Sequence, residues 1–287
     1  MTRTQLSPAD QAQVTALVQR ATNADGINPL NEQAVLGLTV EGCHILACQT
    51  GELIGYATVS DDSAQLVVDP ACRRRGVGTG LLAATKADQV WAFGDLAPAQ
   101  GFCAAQGFGA VRELLVMQAR PTQVTRPTKT VPGVRIAGFV PSDLDELVAL
   151  NARAFHDHPE QGRLTRQDFL ARMDQPWFDP AGLLIARDAG GTMCGFHWTK
   201  AEDRTGEVYV IAVDPGRSGH GLGRVLLDAG LAYLADRGVV RTLLWVDGDN
   251  RIARNLYDNS GFSVVRRDVQ YRKVDSDARR QQGIPEG

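Results

Sequence analysis

Charge of one sign is missing from this chain: 30 basic residues stand against 33 acidic ones, for a net charge of −3 at pH 7. That balance argues against broad, non-specific binding to nucleic acid or to an anionic membrane surface. Long apolar runs are missing too, so no segment suits a bilayer-spanning helix. Met1 to Arg20 lacks the charged, then apolar, then small-residue order of a secretion signal. Paired cysteines are absent as well. The five cysteines (Cys43, Cys48, Cys72, Cys103, Cys194) are odd in number and form no CxxC, so they read as reduced thiols of a cytoplasmic protein, with no metal site.

What is present is apolar material enough for a real core, 44% of 287 residues, at a length that suits two domains. The chain also repeats itself. Leu66 to Gly80 and Ile211 to Arg224 align, with Asp69-Pro70 matching Asp214-Pro215 and Gly76 and Gly78 matching Gly221 and Gly223. Each copy later runs through a small-residue helix into Gly-Phe, at Gly107-Phe108 and Gly261-Phe262. A β-rich stretch follows each, from Leu114 to Ala119 and from Val264 to Lys273. Helices are expected from Ser7, with Pro8 in the first turn, and again from Ser142 to His156. Arg120 to Gly133, rich in Pro and Thr, reads as a linker. The expected domains are therefore residues 1–130 and 131–275, with a frayed tail over 276–287.

In the second copy Glu207 to Val213 is a β-branched strand stopped by Asp214-Pro215. A glycine-rich loop follows, then a helix from about Gly221, with Leu222, Val225, Leu226, Ala229 and Tyr233 at helical spacing. The loop thus sits at a helix N-terminus, where unpaired N–H groups favour a phosphate. Arg73, Arg74 and Arg75 add positive charge in one copy, and Arg217, His220 and Arg224 in the other. A small-anion binder follows. A dinucleotide site would need G-x-G-x-x-G, and here Arg224 stands where the order fails, although Asp247 could still serve such a site as a ribose-binding acid.

Together these features resemble the GCN5-related N-acetyltransferase family. Its acyl-CoA motif, Arg/Gln-x-x-Gly-x-Gly/Ala, is met by Arg73-Arg-Arg-Gly-Val-Gly78. Ser218-Gly-His-Gly-Leu-Gly223 keeps the glycines but has Ser at the first place. The family's later helix, Asn-x-x-Ala-x-x-x-Tyr-x-x-x-Gly-Phe, matches Asn250 to Phe262 at every defined position. The resemblance implies an α/β fold, two tandem domains each built on a mixed central sheet flanked by helices, with acetyl-CoA as co-substrate. It implies cofactor contacts at Leu66, Val67, Val68, Arg74, Arg75, Gly76, Val77, Gly78 and Thr79 in the first copy. In the second copy they fall at Ile211, Ala212, Val213, Ser218, Gly219, His220, Gly221, Leu222, Gly223 and Arg224, then at Asn250, Arg251, Ile252, Ala253, Arg254 and Asn255.

The chemistry needs an amine stripped of its proton, a stabilised oxyanion and a reprotonated thiolate. An α-amino group, with a pKa of about 7.7–8.0, needs only a modest base. The resemblance makes Glu207 that base and Tyr257 the acid for the leaving sulfur. On α-helical spacing, Ile252 and Leu256 form an apolar pair with Tyr257 beside Ala253 on a neighbouring face. Further stretches, among them Asn151 to Gly162 and His197-Trp-Thr-Lys200, resemble a tandem branch of the family that acetylates the cysteinyl amine of cysteinyl-glucosaminyl-inositol. That branch nominates Glu32, Glu160, Lys200, Glu207 and Trp245 for the amine substrate. Alone, Glu32, Glu160 and Lys200 would read as solvated surface charges, and His156 and His158 as loop residues.

The first copy is expected to bind acetyl-CoA without catalysing. Cys103 takes the place of Tyr257, the interval to Gly-Phe is shorter, and Asp62 falls where Glu207 stands. Other readings stay open: a tandem acetyltransferase for an aminoglycoside or a protein N-terminus, or a non-catalytic acyl-CoA or nucleotide binder. The expected partner is a small-molecule amine, with no nucleic acid or membrane, and the protein is expected to be a monomer.

Overall fold

The computed structural model describes residues 1–60, 63–120, 130–158 and 161–274. The expected tail and most of the linker fall outside these residues. The chain divides into two compact units. One is Met1–Leu114 together with the chain from Arg266; the other is Leu115–Val265.

The first unit opens with β1 (Thr2–Arg3) and α1 (Pro8–Asp25). Ser7 caps α1 as expected, in a reciprocal capping box with Asp10, which satisfies two orphan N–H groups of the first turn. Then come α2 (Glu32–Leu36), β2 (Cys43–Gln49), β3 (Glu52–Ser60), β4 (Ser63–Val68), α3 (Val77–Thr85), β5 (Gln89–Ala92), α4 (Ala97–Ala105) and β6 (Phe108–Ala119). The second unit carries β7 (Arg135–Gly138), α5 (Leu144–Ala154), α6 (Arg166–Met173), β8 (Leu183–Arg187) and β9 (Met193–Glu202). It continues with β10 (Thr205–Val213), α7 (Leu222–Asp236), β11 (Arg241–Asp247), α8 (Arg251–Asp258) and β12 (Ser263–Lys273).

Within the first unit the strand order is β1-β2-β3-β4-β5-β12, and within the second β7-β8-β9-β10-β11-β6. The orders correspond strand for strand, so the sequence repeat is a repeat of architecture. In both, the first four strands are antiparallel neighbours, and the fourth pairs parallel with the fifth. The sixth position departs from sequence order. β6, which ends the first repeat, has its Leu115–Ala119 half in the second unit, while the Arg266–Lys273 part of β12 joins the first. Val269 and Tyr271 of β12 are buried with Val90, Cys103 and Phe108. Leu115, Met117 and Ala119 of β6 are buried with Leu227, Leu231 and Leu244.

Two local expectations need correction. Ser142 does not cap α5: a short 3-10 turn, Pro141–Asp143, leads in. Asp143 instead accepts from the Val140 N–H at 2.9 Å and from Arg187 at 2.7 Å. The buried face of α7 is also wider than its spacing suggests, with Leu222, Leu226, Leu227, Leu231 and Leu234 buried and Val225, Ala229 and Tyr233 only half-buried.

Candidate active site

The two glycine loops are built alike. Asp69 and Asp214 each accept from the N–H two residues on, at 3.0 Å, so that Asp-Pro starts a 3-10 turn at the strand end. Each carboxylate also meets an arginine from the unit's first helix, Arg20 to Asp69 at 2.7 Å and Arg153 to Asp214 at 2.9 Å. The Arg153 guanidinium holds the Asp214 carboxyl below its ordinary range. The Asp-Pro repeat is therefore an anchor of the loop to the helix that crosses it.

Beyond the turn the backbone enters the left-handed region. Gly219 and Gly221 have φ of 82° and 83°, and Gly76 has 82°. Arg74 occupies the place of Gly219 with φ 61°, a conformation that costs a residue with a side chain about 1–2 kcal/mol. The N–H groups of Gly219 to Arg224, and those of Arg74 to Thr79, make no hydrogen bond to another described residue. Each row leads into a helix N-terminus and forms a nest of donors for an anion. A Cβ on Gly76, Gly219 or Gly221 would meet nothing within 4 Å, so the space over the loop is open. The side-chain charges are less free than the sequence implies. Arg73 is held by Asp25 at 2.7 and 2.8 Å, Arg217 by Asp188 at 2.6 Å and Arg224 by Asp228 at 2.8 Å. The donors gathered at each loop are thus chiefly main-chain N–H groups, and Ser218 adds no charge where the motif has Arg or Gln.

The strands that lead to this loop part. β10 and β11 pair only from Thr205↔Arg241 to Glu207↔Leu243, and β4 and β5 only at Ser63↔Gln89 and Ala64↔Val90. Past that point, among the described residues, no strand pairs with one edge of β10 through Val213, and backbone donors and acceptors left without a ladder call for another partner. An extended, amide-bearing chain such as pantetheine fits that edge, with its phosphates at the loop. The residues present thus suit acetyl-CoA.

Glu207 stands where pairing ends. Across the antiparallel ladder its partner is Lys200, so the two side chains share one face. A bulge at Tyr209 follows, between Val208 and Val210. Lys200 Nζ lies 4.9 Å from the Trp177 ring centroid and 3.1 Å from Glu202 Oε2. Trp198 and Tyr209 pack edge to face beside it, and Trp177 lies tilted against both. On β11, Leu244 and Val246 are buried against α7, which turns Trp245 and Asp247 to the face that Glu207 occupies; Trp245 is 37% exposed. Glu32 is the first residue of α2, in the other unit. Glu160 and Asp62 lie outside the described residues.

Tyr257 lies on α8, capped by Asn250 through the Ala253 N–H at 3.0 Å. The apolar face of α8 is Ala253, Leu256 and Tyr257, and the expected Ile252–Leu256 pair is not formed, since Ile252 is 87% exposed. Burial pushes the Tyr257 hydroxyl up to about 12, so it keeps its proton at neutral pH, and it makes no hydrogen bond to another described residue. In the first unit, burial raises the Cys103 thiol to about 11. The shorter interval there resolves into α3 with 9 residues against 15 in α7, and β5 with 4 against 7 in β11.

One pair was not legible in sequence: His158 Nε2 lies 3.6 Å from Asp247 Oδ2, although the two are far apart along the chain. Its only signal was their presence in stretches already singled out for other reasons. Among the described residues no cluster of three or more His, Cys, Asp or Glu could hold a metal ion, and no helix is long and apolar enough to cross a membrane.

The family model described as "Acetyltransferase (GNAT) family" matches residues 144–262, and one described as "Acetyltransferase (GNAT) domain" matches residues 41–109. The chain is 46% identical over 276 residues to a mycothiol acetyltransferase of Thermomonospora curvata, covering 91% of this chain and 92% of that one. It is 42% identical over 279 residues to a mycothiol acetyltransferase of Propionibacterium freudenreichii subsp. shermanii, covering 93% and 89%. In fold it is similar to a GCN5-related N-acetyltransferase from Sphaerobacter thermophilus, with a TM-score of 0.71, 24% identity and 95% of each chain covered. It is similar too to a tandem GNAT protein from the clavulanic acid biosynthesis pathway, with a TM-score of 0.70, 19% identity and 96% and 100% covered.

Proposed function

The chain belongs to the mycothiol acetyltransferases, a branch of the GNAT acetyltransferases, and from that premise we propose acetyl transfer from acetyl-CoA to the cysteinyl amine of cysteinyl-glucosaminyl-inositol. The observation that carries this reading is the asymmetry of the two units. Both have the donor nest and the parted strands, but among the described residues only the second adds a protonated tyrosine on the later helix, where the first has Cys103. Glu207 stands at the parting in the second, and its counterpart Asp62 lies outside the described residues.

Acetyl-CoA, when bound, supplies an activated thioester. The N–H groups of Gly219 to Arg224 hold its pyrophosphate, and the free edge of β10 over Ile211 to Val213 takes the pantetheine amides. Asn250 to Asn255 line the other wall. Glu207 takes the proton from the acceptor amine, directly or through a water, and Lys200 beside it orients hydroxyl or carbonyl oxygens of the acceptor. Tyr257 returns a proton to the departing sulfur. Trp245, half exposed on the same face, offers an indole surface for a sugar ring. Glu160 and Glu32 stay in the proposal as carboxylates for the amine and sugar hydroxyls, on the strength of sequence alone. The first unit binds acetyl-CoA through Leu66 to Val68 and Arg74 to Thr79 and does not turn it over, because the short Cys103 side chain stands in place of the longer Tyr257 phenol.

The test is mass-spectrometric detection of the N-acetylated product with cysteinyl-glucosaminyl-inositol, run beside aminoglycosides and peptide N-termini. Product from the first acceptor alone is expected. Product only from an aminoglycoside or a peptide would overturn the substrate, and no product with any amine would overturn the enzyme.

A further inference from the structure

The parted strands β10 and β11 are each tied at their far end to the same element, α5 and the loop that leaves it. Arg153, in the last turn of α5, reaches Asp214 just after β10 at 2.9 Å. His158, four residues past the end of α5, reaches Asp247 at the end of β11 at 3.6 Å. Neither partner of this second tie is exposed, with side chains 26% and 21% accessible.

The histidine is fixed from behind. The Gln161 N–H donates to His158 Nδ1 at 3.0 Å, which leaves Nε2 to carry the proton, turned toward the Asp247 carboxylate. Gln161 is itself locked to Asn151 of α5: its carbonyl accepts from Asn151 Nδ2 at 2.7 Å, and its own Nε2 donates to Asn151 Oδ1 at 2.9 Å. Asn151 is fully buried. Hydrogen bonds thus run from buried Asn151 through Gln161 to the imidazole, whose far nitrogen faces the Asp247 carboxylate at the end of β11.

The first unit holds the first tie and lacks the second. Arg20 reaches Asp69 at 2.7 Å as Arg153 reaches Asp214. Counted back from Gly107-Phe108 and Gly261-Phe262, Phe93 stands where Asp247 stands. The second tie thus occurs in the unit that keeps Glu207 and Tyr257, and it is absent from the one that lacks Tyr257.

We propose that the His158–Asp247 pair is a clasp that fixes His158 and Gln161 against β11, so that the wall of the acceptor side is preformed. His158 is then a positioning residue, acting through the loop and through β11, which bears Trp245. This inference rests on the acetyl-transfer reading for its kinetic consequence and not for its structural one.

Four variants test it: His158→Asn, which keeps an acceptor for the Gln161 N–H but falls short of Asp247; His158→Gln, which restores reach; Asp247→Ala; and the double variant His158→Asn/Asp247→Ala. His158→Asn and Asp247→Ala should each raise the amine KM about tenfold with kcat within about twofold of the parent. The double variant should be no worse than either single one, and His158→Gln should recover most of the loss. Additive losses, or a loss in kcat at constant amine KM, would overturn the proposal. Hydrogen exchange across residues 150–163 gives a readout independent of turnover. It should quicken in His158→Asn and in Asp247→Ala, and unchanged exchange in both would overturn the clasp whatever the acceptor. A wild-type protein that acetylates no amine, yet shows the faster exchange in the variants, would sink the function and leave the clasp standing.

Discussion

Tyr257 and Cys103 occupy equivalent places on α8 and α4, both almost fully buried and both pushed toward the protonated form by that burial. In the proposed reaction the Tyr257 phenol hands its proton to the departing thiolate; the Cys103 thiol is protonated too but sits on a much shorter side chain. Glu207→Gln removes the base and Tyr257→Phe the acid, and each should lower kcat by about 10²–10⁴-fold, the usual span of a general acid or base. Cys103→Ala should leave steady-state turnover within about twofold of wild type by the same logic. A large loss from Cys103→Ala alone would assign the chemistry to the other unit.

His197 makes a different prediction. It is fully buried on β9, its Nδ1 bonded to the Leu226 carbonyl at 2.8 Å and its Nε2 without a partner among the described residues. Burial depresses it from 6.5 to about 4. The unfolded chain then binds a proton between those values that the folded chain refuses. The stability tied to this neutral ring is complete above pH 6.5 and is lost as pH falls toward 4, by about 1.4 kcal/mol per unit and about 3 kcal/mol in all. Urea titrations at pH 7, 6 and 5 should show that slope in the wild type and a flatter one in His197→Gln. Equal slopes would mean the ring takes up its proton as readily in the fold as in the unfolded chain.

At the scale of elements, the loop–helix unit shows what a sequence reveals best. Gly76 and Gly221 cap an apolar helical pattern, with Gly78 and Gly223 in its first turn, and both the donor nest and the left-handed turn follow from local backbone rules. The strand before it and the helix after it were legible for the same reason, since their patterns are local. The α8 face was misjudged because helical spacing ranks Ile252 with Leu256 and cannot say which stripe meets the sheet. The His158–Asp247 pair was illegible because it joins a loop to a strand end through tertiary placement alone. Arg74 offers a check on the loop. It adopts φ 61° where its counterpart is Gly219 at 82°, so the turn tolerates a side chain at a cost. Gly219→Ala, whose Cβ meets nothing within 4 Å, should destabilise by about 1 kcal/mol through backbone strain alone. It should weaken acetyl-CoA binding as the donors shift, and calorimetric titration would read that. A variant as stable and as tight as wild type would mean the turn is not needed in its left-handed form.

At the scale of the molecule, the repeat is plain in the sequence, but the bookkeeping of its last strands is not. Alternating β-branched segments such as Val264 to Lys273 declare a strand without declaring its sheet. In the first unit the far end of the chain supplies that strand. Val269 to Arg272 of β12 pair with Gln89 to Ala92 of β5. Asp95, only 8% exposed, accepts from Tyr271 at 2.6 Å and from Arg267 at 2.7 Å. Asp268, 1% exposed, accepts from the Gly94 N–H at 2.7 Å. A fragment of residues 1–130 keeps the first repeat entire, yet leaves Asp95 without those two donors, the Gly94 N–H without its acceptor and one edge of β5 unpaired. Each buried polar group left so costs about 1–3 kcal/mol, against a total stability of about 5–15 kcal/mol for a domain. The fragment should therefore lack a cooperative urea transition. The same fragment carrying residues 263–274 on a flexible Gly/Ser linker should regain one, because the linker restores the strand without the second unit. Cooperative unfolding of the unextended fragment, with equal midpoints for the two, would show that β12 is an ornament of the first unit rather than a part of its core.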